Sequence, residues 1–474
     1  MPELNADDER HVPAYAGRYF DHPVPKHELP GRGMPADAAY QLVHDELNLD
    51  GNPSLNLASF VTSWMEPQAD RLAVETLAKN LIDQDEYPQS EVIHRRVVSM
   101  LGRLFNAPSD CHPVGTATIG SSEAIMLALL AHKRTWRRAR EAAGQPTDRP
   151  NLVIGGDVHT CWEKFTRYFE VEARIAPLSE QSFTLTAAAV QERVNENTIA
   201  VGGLLGTTFT GQMDDLADIN ALLARLESEK GWRVPLHVDA ASGGFVTPFV
   251  EPDLRWDFRL SQVRSINVSN HKFGLVYPGM GTVVFRDASD LPEELVFHIN
   301  YLGGDMPNYS LNFSRPSNSV ILQYYNFLRL GREGYARIMA NVMDTARYLR
   351  EALEALGCFE AIGDGARFPI VALRGRDPEL DLFALSAQLR ARGWIIPAYT
   401  LPPHAEGVTV LRIVVKENLS RDLADLLVTD VTRAVSDQKD KQGAGAHPVQ
   451  PALLAGRNPQ PPSQGGGKAR QPVC

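Results

Sequence analysis

Two stretches of the 474-residue chain decide its fold class, HVDAASGG at residues 237–244 and SINVSNHKFG at residues 265–274. Each begins with apolar residues and ends in small or polar ones, which is typical of a buried strand followed by a loop. Asp239 closes the first strand, and Lys272 comes just after the second. Further apolar runs alternate with amphipathic stretches on both sides: NLVIGG, IAVGGLLG, VPLHVDA, RSINVS and TVVF. This alternation predicts an α/β fold with a mostly parallel sheet and a ligand site at the carboxyl ends of the strands.

The chain is longer than a single core usually supports, so we expect several regions. Residues 1–54 are rich in Pro, His and charge and contain one helical stretch; we interpret them as an arm that packs on a neighbouring subunit. A large domain is expected at residues 55–335 and a small C-terminal α/β domain at residues 336–437. Residues 438–474 carry Pro, Gly and Gln without apolar periodicity, which predicts a disordered tail.

Composition excludes several classes of protein. The net charge of −11 disfavours binding to nucleic acid or to anionic membranes, which requires clustered Lys and Arg. The apolar runs are far shorter than the roughly 20 residues that span a bilayer, and the polar amino terminus does not resemble a signal peptide. The four cysteines form no metal-ligand spacing, so we expect no metal and a reducing, cytoplasmic location.

The pairing of Asp239 with Lys272 indicates a cofactor. An aldehyde cofactor needs a lysine amine, and its pyridine ring needs a carboxylate partner. Taken singly, Lys272 could be an exposed lysine after a strand and Asp239 a helix cap. A second cluster favours the cofactor: in GTATIGSSEA, Ser121 and Ser122 precede an amphipathic helix, and a helix amino terminus suits a phosphate. By itself this cluster could be an ordinary serine cap.

Several long blocks then match a known family in the same order. They are LDGNPSLNLASF, IDQDEYPQS, GTATIGSSEA, HVDAASGGFVTPFV, SNHKFGLVYPGMG, NFSRP and FLRLGREGY. Over residues 47–437 the chain resembles the group II pyridoxal-phosphate-dependent amino acid decarboxylases of fold type I, and within them the glutamate decarboxylases. The resemblance implies a seven-stranded, mostly parallel sheet in the large domain, with the small domain following it.

The resemblance also implies roles for individual residues around pyridoxal 5′-phosphate. Lys272 would bind the cofactor covalently, Asp239 would pair with the pyridine nitrogen, His159 would stack on the ring, and the small Ala241 would lie against its other face. Residues implied to contact the phosphate and the cofactor's remaining polar groups are Ser121, Ser122, Thr208, Ser269, His271 and, from the partner subunit, Ser314.

Other positions imply the substrate, L-glutamate. Arg412 would hold the α-carboxylate as a fork. A pocket for the distal carboxylate, reached from the neighbouring subunit, corresponds to Ser59, Phe60, Asn80 and Asp83. The products would be 4-aminobutanoate and carbon dioxide, with a proton supplied to Cα by Lys272 or by Tyr301.

Alternatives remain at this point. Another cofactor-dependent enzyme, such as an aromatic amino acid decarboxylase or an aminotransferase, would share Asp239 and Lys272 without the distal pocket, and a nonenzymatic binding protein could keep the fold. The resemblance implies a homo-oligomer with shared active sites, either a dimer or a hexamer. No calmodulin-binding helix is apparent after Asp437, so we expect no calmodulin partner.

Overall fold

The structure of the chain, a computed structural model, describes residues 26–179, 182–299, 306–363, 365 and 367–443. Predictions for the first part of the arm, for Tyr301 and for residues 444–474 therefore lie outside the described residues. Among the described residues, no helix is long and apolar enough to cross a membrane.

Helices account for much of the described chain. They are α1 Ala36–Leu47, α2 Pro67–Thr76, α3 Pro88–Leu104, α4 Ser121–Ala142, α5 Thr160–Tyr168, α6 Ala187–Arg193, α7 Leu216–Lys230, α8 Thr247–Val250, α9 Asn318–Glu354, α10 Leu382–Ala391 and α11 Arg421–Gly443. The strands are β1 Val114–Thr118, β2 Asn151–Gly155, β3 Glu172–Ala176, β4 Thr198–Leu204, β5 Leu236–Asp239, β6 Val263–Val268, β7 Gly281–Phe285, β8 Phe297–Ile299, β9 Met306–Asn308, β10 Phe359–Ala361, β11 Ile370–Gly375, β12 Ala398–Thr400 and β13 Thr409–Val414.

The large sheet has seven strands in the order β1-β7-β6-β5-β4-β2-β3. Strands β2 to β6 run parallel to one another, and β7 pairs antiparallel with both β6 and β1. The prediction of a mostly parallel, seven-stranded sheet is confirmed, and the five apolar runs fall on β2, β4, β5, β6 and β7. Helix α4 packs across the central strands. Strands buried on both faces explain why these runs are continuously apolar.

The small sheet is antiparallel, in the order β10-β11-β13-β12. Helices α10 and α11 pack beside it. Helix α11 continues to Gly443, so the expectation that a tail begins at residue 438 is wrong at its first residues. The apolar stripe of α11 includes Val431 and Val435, and the buried Gln438 donates a 3.1 Å hydrogen bond to the carbonyl of Asp381. This packing extends the helix into a stretch that lacks apolar residues of its own.

Helix α9 is interrupted at Gly331, where the backbone has φ 57° and ψ −171°. Side chains with a Cβ atom rarely adopt this conformation, so glycine permits a break between two helical segments. In the first segment, Tyr324 contacts Arg96 of α3, and the Tyr325 hydroxyl donates a hydrogen bond to Glu66, the residue before α2. In the second segment, Glu354 accepts a hydrogen bond from the Ala361 backbone N–H of β10, so the change of direction lies near the domain boundary that the sequence predicts at residue 335.

Candidate active site

A cavity of about 550 Å³ lies at the carboxyl ends of the parallel strands. Its walls come from the start of α4, the loop before α5, the end of β4, and the segments that follow β5 and β6. The structure brings nine predicted site residues to this one cavity: Ser121, Ser122, His159, Thr208, Asp239, Ala241, Ser269, His271 and Lys272. They come from widely separated parts of the chain, which only the sheet topology joins.

Lys272 points its amine into this cavity. The Nζ atom donates a 3.0 Å hydrogen bond to Ser242 Oγ and lies 4.9 Å from the centre of the Phe60 ring. Burial lowers the pKa of the Lys272 ammonium, the charge of Arg412 lowers it further, and Asp239 opposes the shift. A lysine that loses its proton more easily is a better nucleophile toward an aldehyde.

Asp239, at the end of β5, is held by three donors. Its Oδ1 atom accepts hydrogen bonds from the Ala241 backbone N–H at 3.0 Å and from Asn267 Nδ2 at 2.9 Å. Its Oδ2 atom accepts a 3.1 Å bond from the indole Nε1–H of Trp162. Donors on both oxygens satisfy the hydrogen-bonding capacity of this buried carboxyl group and fix its orientation.

The amino end of α4 forms a second wall of the cavity. The helix begins at Ser121, which lines the cavity with Ser122, and its first backbone N–H groups have no side-chain cap because the preceding residue is Gly120. Ser269 Oγ donates a 2.7 Å hydrogen bond to Ser121 Oγ. These N–H and hydroxyl groups, together with the helix dipole, form a site suited to an anion.

His271 adds a donor to the same wall. Its Nδ1 atom accepts hydrogen bonds from the backbone N–H groups of Gly279 and Met280, at 3.3 and 3.1 Å. Burial, with the charge of Lys272, lowers the pKa of His271 to about 4, so the ring is neutral and carries its proton on Nε2. An amine, a carboxylate and an anion site in one cavity are the groups that pyridoxal 5′-phosphate requires, so the residues fit this cofactor.

His159 precedes α5 and caps it. Its Nδ1 atom accepts a 3.2 Å hydrogen bond from the Cys161 backbone N–H, which fixes the orientation of the ring at the cavity wall. Burial lowers the pKa of His159, so the neutral ring presents its carbon face without a full charge. Burial, with Asp239, raises the pKa of the neighbouring Cys161 thiol to about 12, which leaves it unreactive.

Arg412, on β13 of the small domain, lies beside the cavity without lining it, and it contacts Thr208, which does line it. Its guanidinium donates to the carbonyls of Thr208 at 2.7 Å and Ala58 at 2.5 Å, and its centre lies 5.1 Å from the Phe60 ring centre. The buried Nε–H has no hydrogen-bond partner among the described residues. A buried unpaired donor is costly, so this nitrogen is well suited to an incoming carboxylate.

Phe60 requires a correction. The resemblance implied that it reaches the site from a neighbouring subunit, but its ring contacts Lys272 and Arg412 of the same chain. The reason is that the segment before α2 crosses the site: Thr62 Oγ1 donates a 2.6 Å hydrogen bond to the Lys272 carbonyl. Ser59 lies beside Phe60 on this segment, where its Oγ accepts a hydrogen bond from the Val61 backbone N–H.

Three predicted residues lie together elsewhere. Asn80 Nδ2 is 3.2 Å from Ser314 Oγ and 3.3 Å from Asp83 Oδ1. None of the three lines the cavity that contains Lys272. They form a separate polar group on the surface of the same chain.

The sequence interpretation assigned no role to several residues that the structure brings to the site. Trp162 and Asn267 bond Asp239, and Asp157 lines the cavity. Asp157 is 1% exposed, and neither carboxyl oxygen has a hydrogen-bond partner in the described part of the chain. Burial raises its pKa to about 6, and burial together with Asp157 raises the pKa of nearby Asp214. Trp162 stands in the segment VHTCWEKF at residues 158–165, and nothing in that segment predicts that its N–H bonds Asp239.

The sheet topology and the Lys272–Asp239 pair define a pyridoxal-phosphate-dependent enzyme of fold type I. Residues 30–375 match the family model described as the pyridoxal-dependent decarboxylase conserved domain. The chain belongs to this family of decarboxylases.

Its relatives are similar over nearly their whole length. Glutamate decarboxylase 5 of Arabidopsis thaliana is 50% identical over 456 residues, which cover 95% of this chain and 92% of the relative. Glutamate decarboxylase of Solanum lycopersicum is 51% identical over 426 residues, covering 89% and 85%. Among solved structures, Lactobacillus brevis glutamate decarboxylase superposes with a TM-score of 0.88 at 41% identity, covering 92% of this chain and 99% of that one.

Proposed function

We propose that this chain converts L-glutamate to 4-aminobutanoate and carbon dioxide, consuming one proton in each turnover. The observation that carries the proposal is the arrangement of Lys272 and Arg412, whose cationic groups both lie against the Phe60 ring. A glutamate whose amine lies beside Lys272 would have its α-carboxylate within reach of the Arg412 guanidinium. The names of the similar proteins support glutamate as the substrate.

Pyridoxal 5′-phosphate, when bound, supplies an electron sink for the electron pair that the departing carbon dioxide leaves behind. The protein's contribution is to hold that group. Lys272 would bind it covalently, and Asp239 would keep the pyridine nitrogen protonated. His159 and Ala241 would flank the ring. The anion site would bind the phosphate through Ser121, Ser122, Ser269 and His271, and Thr208 would contact the cofactor near the substrate.

Arg412 would orient the substrate by its α-carboxylate. Its planar guanidinium is already fixed by the two carbonyls that it bonds, so little side-chain freedom is lost when a carboxylate binds the remaining N–H. The carboxylate would leave water for a largely apolar wall that includes Phe60. Fixing the bond to be broken in one orientation is a large part of how such sites accelerate a reaction.

The proton for Cα would come from Lys272. Its lowered pKa reflects burial, and the amine lies in the same cavity as the reacting atoms. Tyr301, the lower-ranked alternative, lies outside the described residues.

The distal carboxylate pocket would be completed by a second copy of this chain. Ser59 and Phe60 would come from one subunit, while Asn80, Asp83 and Ser314 of the partner subunit would reach its cavity. Helix α1 supports this assembly because it has no buried residue, and its apolar side chains Tyr40, Val43 and Leu47 are all more than half exposed. An amphipathic helix of this kind is stable when a neighbour covers it. The resulting homo-oligomer would be a dimer or a hexamer.

A cytoplasmic location is also part of the proposal. Three cysteines in the described part of the chain, Cys111, Cys161 and Cys358, are free thiols, which is usual in a reducing compartment.

The direct test offers L-glutamate, L-aspartate and L-tryptophan separately and measures the carbon dioxide released and the amine formed, which from L-glutamate is 4-aminobutanoate. We expect release from L-glutamate only, loss of release in Lys272→Ala, and unchanged release in Lys133→Ala, a lysine that bonds the Phe169 carbonyl away from the cavity. A protein that takes up the cofactor and shows visible absorbance but is inert toward L-glutamate would refute the substrate and keep the cofactor assignment.

Shared active sites are tested by co-expressing Lys272→Ala with Asp83→Ala. Each variant should be inactive alone, and mixed oligomers should regain part of the activity because some cavities then have both native residues. Absence of recovery in oligomers shown to contain both variants would refute the partner's contribution.

A further inference from the structure

A chain of buried polar side chains runs from Asp239 beneath helix α4. His237 and Asp239 are two residues apart on β5, and in the neighbouring strand β6 they are opposite Ser265 and Asn267. Because side chains alternate along a strand, this spacing puts all four on one face of the sheet. Helix α4 covers that face and contributes His132.

Four hydrogen bonds connect these residues. His132 Nε2 is 2.7 Å from Ser265 Oγ, which is 2.7 Å from His237 Nδ1. His237 Nε2 is 2.8 Å from Asn267 Oδ1, and Asn267 Nδ2 is 2.9 Å from Asp239 Oδ1. Each of the other four residues, His132, Ser265, His237 and Asn267, is at most 4% exposed, so bulk water does not compete for these hydrogen bonds.

The donor and the acceptor of each hydrogen bond can be assigned by starting from the carboxylate of Asp239. A carboxylate only accepts, so the amide nitrogen of Asn267 must face it and the amide oxygen must face His237. That oxygen also only accepts, so His237 carries its proton on Nε2.

Both histidines are neutral. Burial lowers the pKa of His237 to about 4, against the opposing charge of Asp239. Burial, with His237 and Arg264, lowers the pKa of His132 to about 3. The bare Nδ1 of His237 therefore accepts the Ser265 hydroxyl proton, and Ser265 Oγ accepts from the Nε2–H of His132. All four bonds donate toward Asp239.

We propose that His132, Ser265, His237 and Asn267 form a one-directional hydrogen-bond relay that positions the carboxylate of Asp239 for the cofactor's pyridine nitrogen. Aligned donors polarise one another, so each bond in such a series strengthens the next. None of the four lines the cofactor cavity, so they act through Asp239 as positioning residues. The inference rests on the proposed role of Asp239 in holding the cofactor.

Neutron diffraction from crystals of the cofactor-loaded enzyme, without glutamate, tests the relay in the unmodified protein. We expect hydrogen on Nε2 of both histidines, on Asn267 Nδ2 facing Asp239, and between Ser265 Oγ and His237 Nδ1. Hydrogen on His237 Nδ1, or an amide oxygen facing Asp239, would overturn the proposal.

A variant series gives an independent readout. His237→Phe keeps a ring of similar size but ends the relay, and we expect its affinity for the cofactor, followed by visible absorbance, to fall roughly 10-fold or more. His237→Gln can still donate to Asn267 Oδ1 and should stay within about 3-fold of the parent. Activity should fall through kcat, with the KM for glutamate nearly unchanged.

Thr198→Val is the matched control. The Thr198 hydroxyl donates a 2.7 Å hydrogen bond to Asn151 Oδ1 within the same sheet, buried and unconnected to Asp239. It should lower the thermal unfolding midpoint without changing cofactor affinity. Equal cofactor affinity in His237→Phe and Thr198→Val would overturn the proposal, because His237 would then contribute only to stability, as other buried polar residues do.

If His237→Phe does not fold, Ser265→Ala replaces it, with a smaller but measurable loss of cofactor affinity. Cofactor affinity is measured without substrate, so the result does not depend on whether glutamate is the substrate.

Discussion

The indole N–H of Trp162 donates a 3.1 Å hydrogen bond to Asp239 Oδ2. Trp162 is fully buried, and its ring fits only because β4 has glycine at position 202, where a Cβ atom would be 2.4 Å from the indole. The carboxylate thus has a donor on each oxygen, one from α5 and one from β6.

Trp162→Phe removes the donor to Oδ2 and retains most of the ring. We expect the free energy of unfolding to fall by about 1–3 kcal/mol and cofactor affinity to fall with it, because a buried charge loses a partner. Visible absorbance during cofactor titration measures the affinity. Trp136→Phe removes a bond of the same length, to the Glu196 carbonyl outside the site, and should change only the stability. Unchanged cofactor affinity in Trp162→Phe would contradict the prediction.

Arg412→Lys should lower kcat/KM for glutamate by about 100-fold, since lysine cannot donate as a planar fork and would leave the Ala58 or Thr208 carbonyl without its partner. Steady-state kinetics measure the loss, and unchanged visible absorbance shows that the cofactor is still bound. Arg374→Lys, on the neighbouring strand β11, alters a half-exposed ion pair with Glu360 and should retain activity. Similar losses in both variants would point to general disruption of the small domain.

Gly281→Ala should weaken cofactor binding by displacing the start of α4. A Cβ atom at this position would be 2.5 Å from the Gly120 carbonyl carbon and 2.8 Å from the Ser121 nitrogen, and backbone cannot move as cheaply as a side chain. We expect the cofactor dissociation constant to rise by roughly 10-fold or more, as measured by absorbance titration. Gly33→Ala, with no atom within 4 Å of its added carbon, serves as the control and should behave as the parent.

Asp157→Asn should change the pH dependence of stability. Burial raises the pKa of Asp157 from 3.8 to about 6, so folding favours the protonated carboxyl. The stability from this group is complete below pH 3.8 and is lost as pH rises to about 6, a difference of about 3 kcal/mol. Asparagine cannot ionise, so the variant should match the parent near pH 3.5 and be more stable at pH 7.

Denaturant unfolding of the cofactor-free protein across this pH range makes the measurement. Asp148→Asn, whose side chain is 73% exposed, is the control and should follow the parent. A parent and an Asp157→Asn variant with parallel stability curves would contradict the raised pKa.

Much of the fold followed from local pattern. The runs that became β2, β4, β5, β6 and β7 are continuously apolar because both faces of each strand are buried, and that signal is visible in single segments. β3 was not identified, because at the sheet edge its side chains before the buried Ala176 are exposed or half-buried and include Glu172 and Arg174. The antiparallel direction of β7 could not be predicted from its composition either, since strand direction is set by the connections between strands and not by residue type.

Local chemistry in the sequence determined the cofactor site. The cofactor itself requires a carboxylate that closes one strand, a lysine that follows another, and small residues at the start of a helix. Tertiary structure alone decided the surroundings. Trp162, Asn267 and the residues behind them meet Asp239 only after α4, α5, β5 and β6 pack together, and Phe60 reaches Lys272 only because its segment crosses the site. Contacts at the site join residues far apart along the chain, as Arg412 does with the Ala58 carbonyl 354 positions away, and no short-range pattern encodes such pairings. They depend on the shape of the packed core, which all of its residues determine together.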